Sequence, residues 1–392
     1  MSQELISRSP DLKRLRDEGY EVEVRSNYLL VHNVPYVNSA KEVCFGTLIS
    51  ELTLAGNVTA CPGTHVVQFT GDHPCNNDGT AIVQISHSSP NQTLADGLVA
   101  KHSFSNKPNG GYVNYYDKMT RYIEIISAPA ESIDDSVTAK TFKVIEAEGD
   151  QSVFNYIDTC SSRAGISLIS NKLATGKIAI VGLGGTGSYV LDLVTKTPVP
   201  EIHLFDGDRL LQHNAFRSPG APSVEELADA PMKVDYFAKV YSEMHRRIIP
   251  HDCYIDASNI DALQVAGFLF LCLDKGEPRQ LIISKLEEWE VPFIDVGMGI
   301  EIIDDQLIGI LRITTSTDRA RDHIRNRIPF SDDGGEDGYS QNIQTADLNA
   351  LNAALAVVKW KKLCGFYGDA TRENHCTYTL NVNMLLSEDN DP

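Results

Sequence analysis

No run of 18 consecutive apolar residues occurs in the 392-residue chain, so no segment is expected to cross a membrane as a helix. The opening stretch MSQELISRSPDLKRLRDEGY carries charges with no apolar core behind them, which is not the pattern of a secretory signal. Basic residues are scarce, 34 Lys and Arg against 53 Asp and Glu, for a net charge of −19. Broad binding to nucleic acid or to an anionic membrane needs a basic footprint and is not expected. A nucleotide needs only a local basic pocket and stays open. Eight cysteines are present and no two have C-x-x-C spacing, so a zinc ribbon or thioredoxin-like motif is absent. Free thiols in a reduced cytoplasm are the expectation.

What is present is the composition of a globular protein, 42% hydrophobic and 22% charged, with length for two domains. Leu12–Glu18 is expected to be a short helix. Strand-like runs follow at Val22–Val24, Tyr28–Val31, Cys44–Leu54, Val66–Phe69, Ala81–Ile85 and Tyr122–Ile126. Gly, Pro and Asn clusters separate them, as in a β-rich α+β domain over residues 1–150. From Lys177 the texture changes. Strands at Lys177–Val181, Glu201–Asp206, Phe268–Leu273 and Pro292–Val296 alternate with helices at Ser188–Thr195, Lys233–Arg247 and Arg279–Glu288. Such alternation predicts a Rossmann-like, doubly wound, mainly parallel sheet in a second domain over residues 160–392. A late helix over Thr345–Cys364 is expected to bury Leu348, Leu351, Leu355 and Val358, with lysines near its C-terminal end and Gly365 as its stop.

Gly182, Gly184, Gly185 and Gly187 lie between the strand at Lys177 and the helix after it. Glycine permits the tight turn and lets backbone N–H groups approach a phosphate. Asp206 ends the next strand, where an acid can bind a ribose hydroxyl. These features alone fit a dinucleotide site. The residues that follow are Asp208, Asn214, Arg217, Lys233 and then Asp274, with Arg279 beyond it. In a parallel sheet their strand ends share one rim. A nicotinamide cofactor has little use for an Arg, a Lys and a second acid there. A triphosphate with magnesium uses all of them, because cations hold phosphate oxygens and a carboxylate holds the metal.

The runs GLGGTG and DGDRLLQHNAFR, with Lys233 and Cys272-Leu-Asp274, resemble the ThiF/MoeB family, the adenylating core of ubiquitin-activating enzymes. The resemblance covers about residues 160–365. It implies ATP and Mg2+, with Asp206 on the ribose, Asn214, Arg217 and Lys233 at the phosphates, Asp274 on magnesium and Asp208 in support. It also implies a homodimer in which Arg163, upstream of the glycine turn, reaches the partner's site. The implied reaction joins AMP to the C-terminal carboxylate of a ubiquitin-like protein or peptide. The carboxylate attacks the α-phosphate and pyrophosphate leaves, a step that rests on positioning and charge neutralisation.

One departure stands out. Many such enzymes next carry the acyl group on a cysteine before the late helix, yet no cysteine lies between Gly299 and Lys362. Cys75, Cys364 and Cys376 are read as ordinary thiols, and an enzyme thioester is in doubt. The acidic glycine loop Ser331–Tyr339 is expected to be mobile or to cover a substrate tail. In the first domain, His65, His73, His87 and Cys75 have no diagnostic metal spacing. That domain is read as a module that recruits the substrate protein or a conjugation partner, or as a degenerate conjugating-enzyme-like fold. Fusions of this kind resemble bacterial ubiquitin-like conjugation systems, some tied to antiphage defence. Three other readings stay open: a sulfur-carrier protein or small carboxylate as substrate, a catalytically silent subunit, and a nicotinamide-dependent oxidoreductase.

Overall fold

The computed structural model describes residues 2–95, 97–146, 152–330 and 343–391. The chain forms two units, Met1–Glu148 with Asp158–Gly165, and Gly149–Ile157 with Ile166–Pro392.

The first unit opens with α1 (Ser2–Arg8) and α2 (Pro10–Asp17). Strands β1 (Glu21–Arg25), β2 (Tyr28–Val37), β3 (Val43–Glu51) and β4 (Val66–Phe69) follow as an antiparallel meander. Strands β5 (Ser86–Ser88) and β6 (His102–Ser105) extend it, in the order β1-β2-β3-β4-β6-β5. The stretch Tyr122–Ile126, expected as a strand, belongs instead to the helix α3 (Tyr115–Ile133). The reason is visible over a longer window. Tyr115, Met119, Tyr122, Ile126 and Ala130 recur at helical spacing and are all buried, and the Asn114 side chain accepts the Asp117 N–H at 2.8 Å as an N-cap. Ala81–Ile85 is not a regular strand either; Ile82 and Ile85 are buried in turns before β5. Lys118, on the buried face of α3, donates to Ser50 Oγ at 2.8 Å and the Thr64 carbonyl at 2.9 Å, and burial pushes its pKa down to about 8. A short helix α4 (Thr159–Arg163) closes this unit, with Arg163 exposed at its end.

The second unit is built on β7 (Lys177–Val181), α5 (Gly185–Val194), β8 (Glu201–Phe205), α6 (Lys233–Ser242), β9 (Ile248–His251), β10 (Phe268–Leu271) and α7 (Gly276–Glu288). Then come β11 (Phe293–Ile303), β12 (Gln306–Ser316), α8 (Ala346–Leu363), β13 (Glu373–Thr379) and β14 (Met384–Asn390). The sheet order is β9-β8-β7-β10-β11-β12-β13-β14. It is mixed rather than mainly parallel: β9 through β11 pair in parallel, and β11 through β14 pair antiparallel. The turn chemistry explains the change. Asp304 and Asp305 both have positive φ, 51° and 59°, and form a two-residue hairpin that forces β12 back along β11. No crossover helix separates those two strands.

The late helix forms, but its buried face differs from the expected one. Leu348 is buried as expected, but Asn349, Asn352, Ala353, Ala356, Val357 and Trp360 also point inward, while Val358 is exposed and Leu351 and Leu355 are half-buried. Lys359 and Lys362 make side-chain ion pairs with Asp369 and Glu373, at 3.1 and 2.8 Å. Gly365 follows the helix with φ 70°, a left-handed stop that glycine adopts without strain.

Strand β7 sits between β8 and β10, with Val181 opposite both Phe205 and Leu271. The chain leaves β7 to one side for β8 and later returns on the other side for β10. The three C-terminal ends therefore share one rim at a point where the winding reverses, the usual place for a ligand crevice in such sheets.

Candidate nucleotide site

Gly182 follows β7 directly with φ 90°, and a Cβ there would press on the Cys272 carbonyl at 2.5 Å. A Cβ on Gly187 would collide with the Gly182 carbonyl, and one on Gly185 with the Asn349 carboxamide. Nothing lies within 4 Å of the corresponding position at Gly184, which faces open space. The turn is thus packed on every side but one. It opens α5, whose first N–H groups have no partner within the helix.

Asp206, one residue past β8, is buried and fastens this turn. Its Oδ2 accepts the Leu183 N–H at 2.6 Å, and its Oδ1 accepts the Asp208 N–H at 2.8 Å. Burial raises its pKa against the opposing pull of Lys233 and of those two N–H groups. Lys233 is buried at the start of α6, with Nζ 2.6 Å from Asp208 Oδ2 and 3.6 Å from Asp206 Oδ1. Burial would raise Asp208 too, but the hydrogen bonds from Lys233 and Tyr254 outweigh it and hold this carboxyl below the usual range. The Tyr254 hydroxyl donates to Asp208 Oδ1, and that bond, with burial, pushes the phenol up to about 12.

Arg217 lies after a one-turn helix at Gln212–Ala215, and its Nε is buried with no hydrogen-bond partner among the described residues. Asn214 shapes this loop. Its carboxamide oxygen accepts the Leu211 N–H at 2.8 Å, and its backbone carbonyl receives the Ser218 hydroxyl at 2.7 Å and the Arg217 N–H at 3.1 Å. Asp274 sits exposed in the bend between β10 and α7, with no side-chain partner among the described residues. The backbone under it is braced. Arg279 donates to the Leu273 and Pro329 carbonyls, and its Nε faces Asp295 Oδ1 at 3.2 Å, without the alignment of a hydrogen bond. Asp295 is fully buried and its other oxygen accepts from Arg312 at 2.6 Å.

These groups surround one cavity of about 1310 Å³. Gly182, Gly184, Gly185, Asp206, Asp208, Arg217, Lys233, Asp274 and Arg279 line it. Three of the residues named from sequence, Gly187, Asn214 and Arg163, do not. Gly187 is buried beneath the turn, and Asn214, expected at the phosphates, holds the Arg217 loop from behind. Arg163 belongs to the first unit. Arg279 serves as a buried brace rather than a free cation. Beyond the turn the cavity continues along Gly297–Ile302 of β11, with Ile310 and Ile343 adding apolar wall. The loop Ser331–Tyr339 lies outside the described residues.

Sequence reasoning missed Tyr254, Asn349 and the Asp295–Arg312 pair. Tyr254 follows β9, whose C-terminal end joins the same rim, but β9 is a four-residue strand ending Pro-His and gives little signal. Asn349 and Asn352 sit at helical spacing on α8, where an apolar face was expected.

The three thiols weighed from sequence are not poised for nucleophilic work. Burial raises the pKa of Cys75, Cys364 and Cys376, and strongly that of Cys272, which lies against the cavity. No group of three His, Cys, Asp or Glu side chains among the described residues is arranged to hold a metal ion by itself. No helix of the described residues is long and apolar enough to cross a membrane.

Residues 10–159 match the model of a family described as a domain of unknown function, DUF6791. Over 120 residues the chain is 31% identical to ubiquitin-like modifier-activating enzyme 5 of Drosophila mojavensis. That match covers 29% of this chain and 28% of the relative, so the chain spans just over a quarter of that protein's length. Among solved structures, E. coli MccB with MccA-N7isoASN is 16% identical, with a TM-score of 0.44 over 59% of this chain and 70% of that one. PaaA is 16% identical, with a TM-score of 0.46 over 57% and 75%. Likeness at that level decides neither activity nor substrate.

Proposed function

We propose that the second unit, taken as residues 160–392, binds ATP and adenylates the C-terminal carboxylate of a ubiquitin-like protein or peptide. The observation that carries this reading is the cavity wall. A glycine turn, a buried lysine, an arginine with an unpaired buried nitrogen and a partnerless acid meet there. This donor set fits a triphosphate: the turn offers N–H groups, Lys233 and Arg217 offer positive charge, and Gly184 leaves its face open. Asp206 already spends both oxygens on the turn, so it holds the cradle and offers its remaining lone pairs to a ribose. Lys233 is held by two carboxylates and can turn toward a phosphate, since Asp208 keeps its Tyr254 hydrogen bond meanwhile.

Asp274 is the residue that would hold magnesium, which supplies charge neutralisation at the phosphates. The substrate carboxylate is ionised at neutral pH and needs no side-chain base; the chain's part is to align it with the α-phosphate and favour loss of pyrophosphate. The similarity to ubiquitin-like modifier-activating enzyme 5 supports a protein or peptide carboxylate over a small one. The raised thiol pKa values support release to a partner rather than storage on this chain.

In the same reading the protein is a homodimer, and Arg163 of each copy serves the other's site. The first unit, residues 1–150, recruits the substrate or a conjugating-enzyme-like partner. Its helices, antiparallel meander and long α3 suit a degenerate conjugating-enzyme-like domain, and Cys75, buried beside Val37 at the end of β2 with its Sγ donating to the His73 carbonyl at 3.3 Å, suits the absence of a thiol step there.

Calorimetric titration tests the nucleotide class. ATP with magnesium is expected to bind, with Lys233→Ala and Asp274→Ala weakening it about tenfold or more, in the range of lost charge-assisted contacts. Tight, metal-independent binding of NAD would move the protein to the oxidoreductases.

A further inference from the structure

We infer that Asn349, on the late helix α8, is the positioning residue that sets Arg217 against the glycine turn, and so couples this helix to nucleotide binding. The inference rests on the ATP reading above and assigns a residue to it that neither motif nor spacing singles out.

Asn349 is 1% exposed, and its carboxamide lies between two segments of the cavity wall. Its Nδ2 donates to the Arg217 carbonyl at 3.3 Å, and its Oδ1 accepts the Thr186 hydroxyl at 2.9 Å. The orientation has one solution. A carbonyl only accepts, so Nδ2 must face Arg217, which leaves Oδ1 for Thr186. Thr186 belongs to the glycine turn, and Gly185 beside it packs so closely on the carboxamide that an added Cβ would collide with it. One side chain therefore fixes both the turn and the loop carrying the cation.

The rest of that loop leaves Arg217 in need of such a tether. Asn214 organises the loop from within, but its hydrogen bonds among the described residues all go to residues 211–218. The Arg217 Nε has no hydrogen-bond partner of its own among the described residues, so no contact of that atom holds the guanidinium in register. The Asn349–Arg217 bond supplies the link from the backbone of Arg217 to the turn. Asn352, one helical turn on, makes a parallel contact from the same helix face, Nδ2 to the Gly297 carbonyl at 3.1 Å. Helix α8 thus presents carboxamides rather than aliphatic side chains to the site, which answers why its inward face departs from a plain apolar stripe. An apolar residue at 349 would fill the space but leave the Arg217 carbonyl and the Thr186 hydroxyl without this partner.

A double-mutant cycle on the full-length chain, read by calorimetric ATP affinity with magnesium, tests this. Asn349→Asp keeps the size of the side chain but cannot donate to Arg217 when ionised, and it is expected to weaken ATP about tenfold, the scale of one lost hydrogen bond with its buried partner left unpaired. Thr186→Val, which frees the carboxamide to rotate, is expected to weaken it about threefold. In an Arg217→Ala background both effects should fall below about twofold, because the residue being positioned is gone. Equal losses in both backgrounds would mean that Asn349 acts only as packing, and would overturn the inference. Unchanged affinity in Asn349→Asp and in Thr186→Val would do the same. Should Asn349→Asp not fold, Thr186→Val completes the cycle alone. Failure of the unmodified chain to bind ATP would instead overturn the nucleotide reading itself, a result distinguishable from these by the wild-type titration.

Discussion

Replacing Lys233 by Met removes the one ammonium among the described residues that pairs with both the Asp206 and Asp208 carboxylates. Lys233 and Asp206 have side chains 6% and 7% exposed, whereas Asp208 is 52% exposed. Asp208 is therefore rehydrated in the variant and contributes little to the loss. Asp206 cannot be. Breaking a buried pair costs about 3–5 kcal/mol when the remaining charge is uncompensated. Two backbone N–H groups still serve Asp206 at 2.6 and 2.8 Å, so the expected loss is smaller, about 2–3 kcal/mol near neutral pH. The sign of its pH dependence follows. Burial already raises the Asp206 pKa, and Lys233 is the strongest influence opposing it, so the folded-state pKa rises further in the variant. A carboxyl whose folded pKa lies above its unfolded value destabilises the fold above that folded pKa and ceases to do so as pH falls through it. The gap between variant and wild type should thus be widest at neutral pH and narrow at acid pH, once Asp206 is protonated in the folded variant. Both tryptophans, Trp289 and Trp360, lie in the second unit, so urea unfolding followed by their fluorescence reads this unit. Lys233→Met with Asp206→Asn should recover part of the loss. A gap that is the same at neutral and acid pH, with no recovery in the double variant, would refute the reasoning.

Four further outcomes are expected. His375 accepts or donates at Thr314 Oγ1 across 3.1 Å, and burial, with the nearby Arg327 and Arg312 charges, lowers its pKa to about 4. The unfolded chain takes up this proton first, so stability should fall as pH drops from about 6.5 to about 4, by about 3 kcal/mol, and His375→Gln should flatten that slope in denaturation curves. Asp295→Ala leaves Arg279 and Arg312 facing each other's charge in the interior and should cost about 3–5 kcal/mol in urea unfolding. Gly185→Ala meets the Asn349 carboxamide and should lower both stability, by about 1–3 kcal/mol, and ATP affinity, while Gly184→Ala should spare stability and lower affinity alone, as calorimetry beside thermal unfolding would show. Replacing Cys364 and Cys376 together by Ser should leave pyrophosphate release unchanged, and loss of a reducible acyl-enzyme band in that variant would contradict the reading of these thiols.

The sequence reveals the parallel half of the second unit because each element there is local. Apolar strands such as Lys177–Val181 run into glycine or acid, and amphipathic helices follow. The antiparallel half is hidden in the Asp304–Asp305 turn, two residues whose positive φ decides the direction of β12. Residues Tyr122–Ile126 look like a strand in a five-residue window and become helix through partners on either side, from Tyr115 to Ala130. The same division holds at the site. Asp206, Lys233 and Asp274 are legible because each ends or begins an element at a common rim. Asn214 is legible as a residue but not as a neighbour, since its role within residues 211–218 depends on loop geometry. Asn349 reaches the turn across more than 160 residues of chain, a contact that no local pattern records.

The measurement that bears most directly on adenylation is ATP–pyrophosphate exchange with magnesium, run with small glycine-ended proteins or peptides as acceptors and with Asp274→Ala as control. The account predicts exchange that requires both an acceptor carboxylate and Asp274. Exchange that persists in Asp274→Ala, or a well-folded, ATP-binding chain that shows none with any acceptor, would contradict it.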